Sequence, residues 1–149
     1  DTEPDPDWTP LGAPNSNNPG ANNFTPPFPA YTSGHATFGA ALFRTLELFY
    51  GTDDIAFTFT SDELNGVTTD NLGNVRPDSP RSFQKLSDAA IENARSRIYL
   101  GVHWQFDADE GVASGYAIAD DVFLNVLQRQ PPSKKNKPQN GHRTHVGHH

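Results

Sequence analysis

Hydrophobic positions in this chain recur at helical spacing in three separate stretches. In the first, residues 34 to 50, the apolar side chains that would share one helix face are Phe38, Leu42, Leu46 and Phe49. Ser33 is a favourable N-cap residue, and Gly51 supplies a C-terminal stop. We therefore predict a first helix with one face in a core.

The second stretch predicts a helix from Pro80 or Ser82 to Leu100. Its inward positions would be Phe83, Leu86, Ala90, Ala94 and Arg97. This pattern places a guanidinium where an apolar group is expected. Since a charge that leaves water needs compensation, Arg97 calls for an anionic partner.

The third stretch predicts a helix over about residues 109 to 128. Its apolar stripe consists of Val112, Tyr116, Ala119, Phe123 and Val126. Gly111 and Gly115 lie four residues apart on this helix, and small residues at that spacing allow another helix to approach closely.

The remaining segments read as long connections. Residues 1 to 32 are punctuated by proline and should be extended. Residues 52 to 79 are irregular, except that Ile55, Phe57 and Phe59 alternate and predict a short extended piece. The predicted fold class is all-α: an incomplete helical bundle with long loops.

Composition and charge narrow the possible partners. All 18 acidic residues lie in residues 1 to 129, while residues 130 to 149 carry only basic charges, so the acidic body argues against a nucleic-acid partner. No apolar run approaches about 18 residues, so no membrane partner is expected.

Cysteine and methionine are both absent, and the chain does not begin with methionine. We expect it to be a piece of a longer protein.

The chain divides into a body, residues 1 to 129, and a tail, residues 130 to 149, that is predicted to be disordered because it is basic and almost free of apolar residues. The four tail histidines are His142, His145, His148 and His149. We interpret them as solvated and leave them out of the site.

The stretch Ser33-Gly34-His35 stands where the first helix begins. With Ser33 as N-cap, the N–H groups of Gly34, His35 and Ala36 would point at an oxyanion, assisted by the helix dipole. Gly34 would let that anion approach closely. Taken alone, the stretch fits equally well a simple cap followed by a surface histidine.

A second chemical pattern runs from Ser96 to Asp107. Arg97 can donate two N–H bonds to an oxyanion, His103 can offer one ring nitrogen to a metal or phosphorus atom, and Asp107 can hold the other ring N–H. A buried Arg–Asp pair or a core histidine would each be commoner. The spacing Ser-Arg, five residues, His, three residues, Asp is nevertheless rare, and its occurrence downstream of Ser-Gly-His favours an oxyanion site.

These two patterns resemble motifs of the superfamily that unites vanadium-dependent haloperoxidases with type 2 acid phosphatases. The likeness extends through DPDWTPLGAP, PPFPAYTSGHATFGAA, SDELNG, SRIYLGVHWQFDADEG and GYAIADDVF. The flanking residues resemble the haloperoxidases more than the phosphatases. The resemblance implies the C-terminal catalytic part of a haloperoxidase-like helical domain.

The resemblance also implies roles for individual residues. Ser33 and Gly34 would hold equatorial oxygens of a vanadate cofactor, Arg97 would neutralise them, and His103 would be the axial ligand of vanadium. His35 would bond the apical oxygen and act as acid and base, and Asp107 would orient His103. The implied substrates are hydrogen peroxide and halide, which give hypohalous acid, with room for a small organic substrate.

The resemblance leaves alternatives open. Phosphate fits the same cradle, and in an acid phosphatase His103 would be the nucleophile and His35 the proton donor. The family's first motif, a lysine followed by Arg-Pro, is absent here, and Arg76-Pro77 has the wrong order and spacing. A non-catalytic fragment that only binds oxyanions is therefore a third hypothesis. The missing N-terminal helices of the same protein are the expected partner, and without them we expect no activity.

Phe28 lies seven residues before His35. The resembling haloperoxidases carry either an aromatic residue at this position, in the chloride-oxidising type, or a histidine, in enzymes confined largely to bromide and iodide. The phenyl ring predicts a halide pocket of the chloride-oxidising type.

Overall fold

The computed structural model describes residues 3, 5–8, 10, 25–70, 72–126 and 128. Its elements in chain order are helix α1 (Gly34–Tyr50), strand β1 (Phe57–Phe59), a 3-10 turn (Asp62–Leu64), strand β2 (Arg81–Phe83), helix α2 (Leu86–Tyr99) and helix α3 (Gln105–Asn125). The predicted mostly helical fold is confirmed. The tail from residue 130, with its four histidines, lies outside the described residues.

Helix α1 begins and ends where its sequence predicts. The Ser33 side chain accepts a hydrogen bond from the Ala36 N–H, with 3.4 Å between Oγ and N. At the other end Gly51 adopts the left-handed conformation with a φ of 70°, and its N–H donates to the Glu47 carbonyl at 2.8 Å. Both ends are therefore determined by residues local to the helix.

Helices α1 and α3 pack through small residues. A Cβ added to Gly111 would lie 2.8 Å from the Ser33 carbonyl oxygen, and one added to Gly115 would lie 2.8 Å from the Ala40 Cβ. Neither gap could hold a methyl group. The predicted close approach at these two glycines is confirmed, and it brings the start of α3 beside the start of α1.

The predicted core face of α1 is wrong for three of its four positions. Phe38 is 78% exposed and Phe49 is 70% exposed, and Leu42 is also exposed. The face that α1 turns towards α3 instead carries Ala36 and Ala40, both fully buried. Small residues form this contact because the two backbones lie too close together for larger side chains.

Helix α2 begins later than predicted. Residues Arg81–Phe83 form strand β2, which pairs antiparallel with β1, and the helix starts at Leu86. Asp53, from the loop after α1, stabilises this start: its Oδ1 accepts the Ser87 N–H at 2.8 Å, and its Oδ2 accepts the Ser87 hydroxyl at 2.7 Å. The start of α2 is thus set by a residue distant in sequence.

The inward face of α2 is largely as predicted. Leu86, Ala90 and Ala94 are buried and Arg97 is half-buried, whereas Phe83 belongs to β2.

Helix α3 starts four residues earlier than predicted and ends at Asn125. Its stripe holds only in part, since Ala119 is buried but Val126 is exposed and follows the helix. The early start places Asp107 in its first turn.

None of the helices in the described ranges has the length and apolar character required to cross a membrane.

Candidate oxyanion site

Ser33 anchors one side of the site. It is completely buried, and its N–H donates to the Asp107 carbonyl at 3.0 Å. Its own carbonyl accepts the Thr37 N–H at 3.0 Å and the Thr37 hydroxyl at 2.9 Å. The serine is therefore fixed simultaneously to α3 and to the first turn of α1.

Gly34 leaves open space beside the start of α1. A Cβ added there would meet nothing closer than 4.0 Å, where the nearest atom belongs to the Phe38 ring. The first N–H groups of a helix have no carbonyl partner within the helix. Those of Gly34 and His35 are therefore suited to bind an anion. The Ala36 N–H, which the sequence predicted to be available as well, donates to Ser33 Oγ instead.

Arg97 lies in the last turn of α2 and is half-buried. Its Nε is buried and has no hydrogen-bond partner among the described residues, and the ion pairs found there do not include Arg97. Burial lowers the pKa of this guanidinium from its usual value, although arginine stays protonated. The buried Arg–Asp pair considered from the sequence is not formed, so the cation still calls for an anion.

His103 and Asp107 form a buried pair next to Ser33. The His103 side chain is 1% exposed, and its Nδ1 lies 3.3 Å from Oδ2 of the fully buried Asp107. That same oxygen accepts the Trp104 N–H at 3.0 Å, so the carboxylate also holds the start of α3.

A carboxylate at Nδ1 favours the tautomer with its proton on Nδ1, which leaves the lone pair of Nε2 available. His103 Nε2 is buried and has no partner among the described residues.

His35 is exposed at the start of α1. Partial burial lowers the pKa of His35, and the charges of Arg97 and His103 lower it further. An anion bound between these groups would counter the second effect. Phe28 adds an apolar wall, since its ring centre lies 6.0 Å from that of His103.

Some buried polar side-chain atoms in the described part of the chain have no hydrogen-bond partner. Within the described residues, four buried side-chain atoms lack a partner: Glu47 Oε1, Arg97 Nε, His103 Nε2 and Asp107 Oδ1. Arg97 Nε donates a proton to oxygen, and His103 Nε2 offers an electron pair. Together with the open space at Gly34, they fit a tetrahedral oxyanion whose central atom accepts a nitrogen ligand.

A family model described as the VCPO second helical-bundle domain matches residues 1–130. The chain belongs to the vanadium haloperoxidase family. Vanadium chloroperoxidase of Curvularia inaequalis is 43% identical over an alignment of 209 residues, which covers 91% of this chain and 34% of that protein. Since the alignment is longer than the chain, that haloperoxidase carries segments with no counterpart here.

Solved haloperoxidases share the fold. The first bacterial vanadium-dependent iodoperoxidase matches with a TM-score of 0.55 and 30% identity, over 81% of this chain and 23% of that one. The holo-type bacterial vanadium-dependent chloroperoxidase matches with a TM-score of 0.53 and 18% identity, over 76% and 22%, and supports the fold alone. The chain therefore spans about a third or less of the lengths of these relatives.

Sequence reasoning missed Asn93. Its side-chain amide on α2 donates to the His35 carbonyl at 2.7 Å, across 58 residues of sequence. Arg76, from the Arg-Pro pair that has the wrong order and spacing for the family motif, lies in the loop between β1 and β2. Its Nε donates to the Thr69 carbonyl at 3.4 Å. The sequence places Asn93 one helical turn before Arg97, but its main-chain partner leaves no signature in the sequence.

Proposed function

We propose that the protein containing this segment is a haloperoxidase that uses bound vanadate and hydrogen peroxide to oxidise halide to hypohalous acid. The observation that carries the proposal is the buried, unpartnered Nε2 of His103, held by Asp107 and accompanied by the unpartnered Nε of Arg97. A histidine that served only to fill a core would have no reason to keep a buried lone pair unused.

The residues present fit vanadate. The Ser33 hydroxyl and the N–H of Gly34 would hold its oxygens, Arg97 would neutralise their charge, and His103 Nε2 would be the nitrogen ligand of the metal. When bound, vanadate acts as a Lewis acid that activates hydrogen peroxide towards halide. His35, whose pKa is lowered first by burial and then by Arg97 and His103, would accept and return a proton through its imidazole during the reaction.

Asp107 would act through His103. Its carboxylate fixes the tautomer and the orientation of the ring, as outer-shell carboxylates do for metal-bound histidines. Phe28 would keep water from one side of the site, and exclusion of water strengthens the local electrostatic interactions.

The chain by itself would lack part of this cradle. It contains no counterpart of the family's lysine and Arg-Pro motif, and it spans 34% of the Curvularia inaequalis protein. We propose that upstream residues supply both cations and that residues 1 to 149 alone are inactive.

The test uses the intact protein, stripped of bound oxyanion and then titrated with vanadate. Bromide oxidation by hydrogen peroxide should appear in proportion to added vanadate. His103→Ala should abolish it, because the nitrogen ligand is lost, whereas His142→Ala should leave it unchanged.

Full turnover and full vanadate affinity in His103→Ala would contradict the site assignment. Hydrolysis of p-nitrophenyl phosphate without vanadate-dependent bromide oxidation would instead indicate the acid phosphatase.

A further inference from the structure

The side chain of Asn93 connects α2 to the first turn of α1. Its Nδ2 donates to the main-chain carbonyl of His35 at 2.7 Å. A helix carbonyl at this position already accepts the N–H four residues later, so the asparagine supplies a second, lateral bond. This bond fixes where the His35 backbone lies relative to α2.

Gly39 makes room for this contact. A Cβ added to Gly39 would overlap Nδ2 of Asn93 and lie 3.1 Å from its Cγ. The conformation does not require glycine, since the glycines with positive φ among the described residues are Gly51, Gly66, Gly73 and Gly101. Glycine at position 39 therefore leaves the space that Asn93 needs to reach the α1 backbone.

Arg97 follows Asn93 by four residues, which places both on one face of α2. Asn93 bonds the first turn of α1. Arg97, one turn later on α2, carries the buried guanidinium Nε that has no partner among the described residues. The distance between the α1 N-terminus and the cation is thus set by two residues of a single rigid helix.

We propose that Asn93 is a positioning residue and that Gly39 leaves the space for its side chain. Asn93 holds the first turn of α1 at the distance from Arg97 that a bound oxyanion requires. It touches neither oxyanion nor peroxide, and acts through His35 and the neighbouring N–H groups. What the site binds rests on the proposed function; the contact itself does not.

The experiment compares Asn93→Leu, Asn93→Ala, Gly39→Ala and the double variant Gly39→Ala/Asn93→Ala in the intact protein. Asn93→Leu keeps the branched shape of the side chain but removes the donor, and Gly39→Ala keeps the donor but pushes it away. Each single variant should weaken vanadate affinity by about 10-fold or more, as loss of an outer-shell partner does. A Gly39→Ala/Asn93→Ala double variant should be no weaker than Asn93→Ala, because the new methyl then has nothing to displace.

Two readouts separate positioning from a merely structural contact. At saturating vanadate, kcat for bromide oxidation should fall while the KM for bromide holds. Hydrogen exchange, measured without ligand, should accelerate in the first turn of α1 but not in its last turn. Asn125→Ala, which removes an exposed amide on α3 that bonds Asp121, is the matched control and should change neither.

Wild-type affinity, kcat and first-turn exchange in Asn93→Leu would overturn the proposal, and so would additive losses in the double variant. If the wild-type protein binds neither vanadate nor phosphate, the proposed function fails, and the exchange pattern alone decides whether Asn93 holds the turn.

Discussion

Arg97 and Arg95 offer a matched pair of cations two residues apart on α2. Arg97 is half-buried with an unpartnered Nε, whereas Arg95 is exposed. Arg97→Lys should weaken oxyanion binding about 10- to 100-fold, because a charge-assisted bond contributes about 1.5–3 kcal/mol and an ammonium cannot reproduce the guanidinium fork. Arg95→Lys should have no effect. Calorimetric titration of the intact protein with vanadate measures both, and equal affinities for the two variants would contradict the role of Arg97.

The halide preference is a second question at the level of single residues. Phe28 is half exposed and its ring is tilted 31° to that of His103. We expect the intact enzyme to oxidise chloride as well as bromide, and Phe28→His to lose chloride oxidation selectively, because a polar ring admits water beside the reacting atoms. Steady-state rates with both halides at acidic pH measure this. Chloride oxidation that survives Phe28→His, or its absence in the wild type, would contradict the prediction.

The sequence was informative about residues whose chemistry is unusual for their setting. A guanidinium in an apolar helix pattern pointed to Arg97, and the histidine–carboxylate spacing pointed to His103 and Asp107. Asn93 could not be found in this way, because its partner is a main-chain carbonyl and carries no side-chain signature.

The helix contact between α1 and α3 has two glycines with different neighbours. A Cβ on Gly111 would press on the Ser33 carbonyl, whereas one on Gly115 would press on Ala40 and lie 2.9 Å from the Ala41 nitrogen. Each alanine variant should therefore destabilise the fold by about 1–3 kcal/mol through overpacking. Gly111→Ala should in addition weaken vanadate binding, since Ser33 belongs to the site.

Denaturant unfolding and calorimetry of the intact protein separate the two effects. Equal losses of vanadate affinity in Gly111→Ala and Gly115→Ala would show that Gly111 acts through stability alone.

Helix boundaries were predictable only where their determinants are local. Ser33 and Gly51 adjoin α1, and both of its ends were predicted correctly. The start of α2 was not, because Asp53 supplies its N-terminal bonds from 34 residues away and β1 draws Arg81–Phe83 into a strand. Hydrophobic periodicity also predicted the wrong buried face for α1. It selects large apolar residues, whereas the contact with α3 consists of alanine and glycine.

At the scale of the whole molecule, the apolar side chains that sequence assigned to a core are exposed. On α1 these are Phe38, Leu42 and Phe49, and Val126, just after α3, is exposed as well. Ile118 and Val122 of α3, which lie outside the predicted stripe, add to this exposed apolar surface. Exposed apolar surface of this extent marks a site of association. We expect the isolated segment, residues 1 to 149, to self-associate as its concentration rises, and Phe38→Ser with Phe49→Ser to reduce this association. Sedimentation velocity measures it; a monomer at all concentrations would contradict it.

The same isolated segment should bind vanadate at least about a few hundredfold more weakly than the intact protein, because two charge-assisted bonds are absent. It should show no bromide oxidation. Micromolar affinity with measurable turnover would show instead that residues 1 to 149 are a self-sufficient enzyme.

Asp107 joins the two halves of the site in two chemically distinct ways. Its side chain orients His103, and its main-chain carbonyl accepts the Ser33 N–H at 3.0 Å. Exchange of the side chain can alter the first bond but not the second. Anyone who transplants this site into a designed bundle must therefore copy the register of two backbones, and a graft of the side chains alone would leave the serine loop without its anchor.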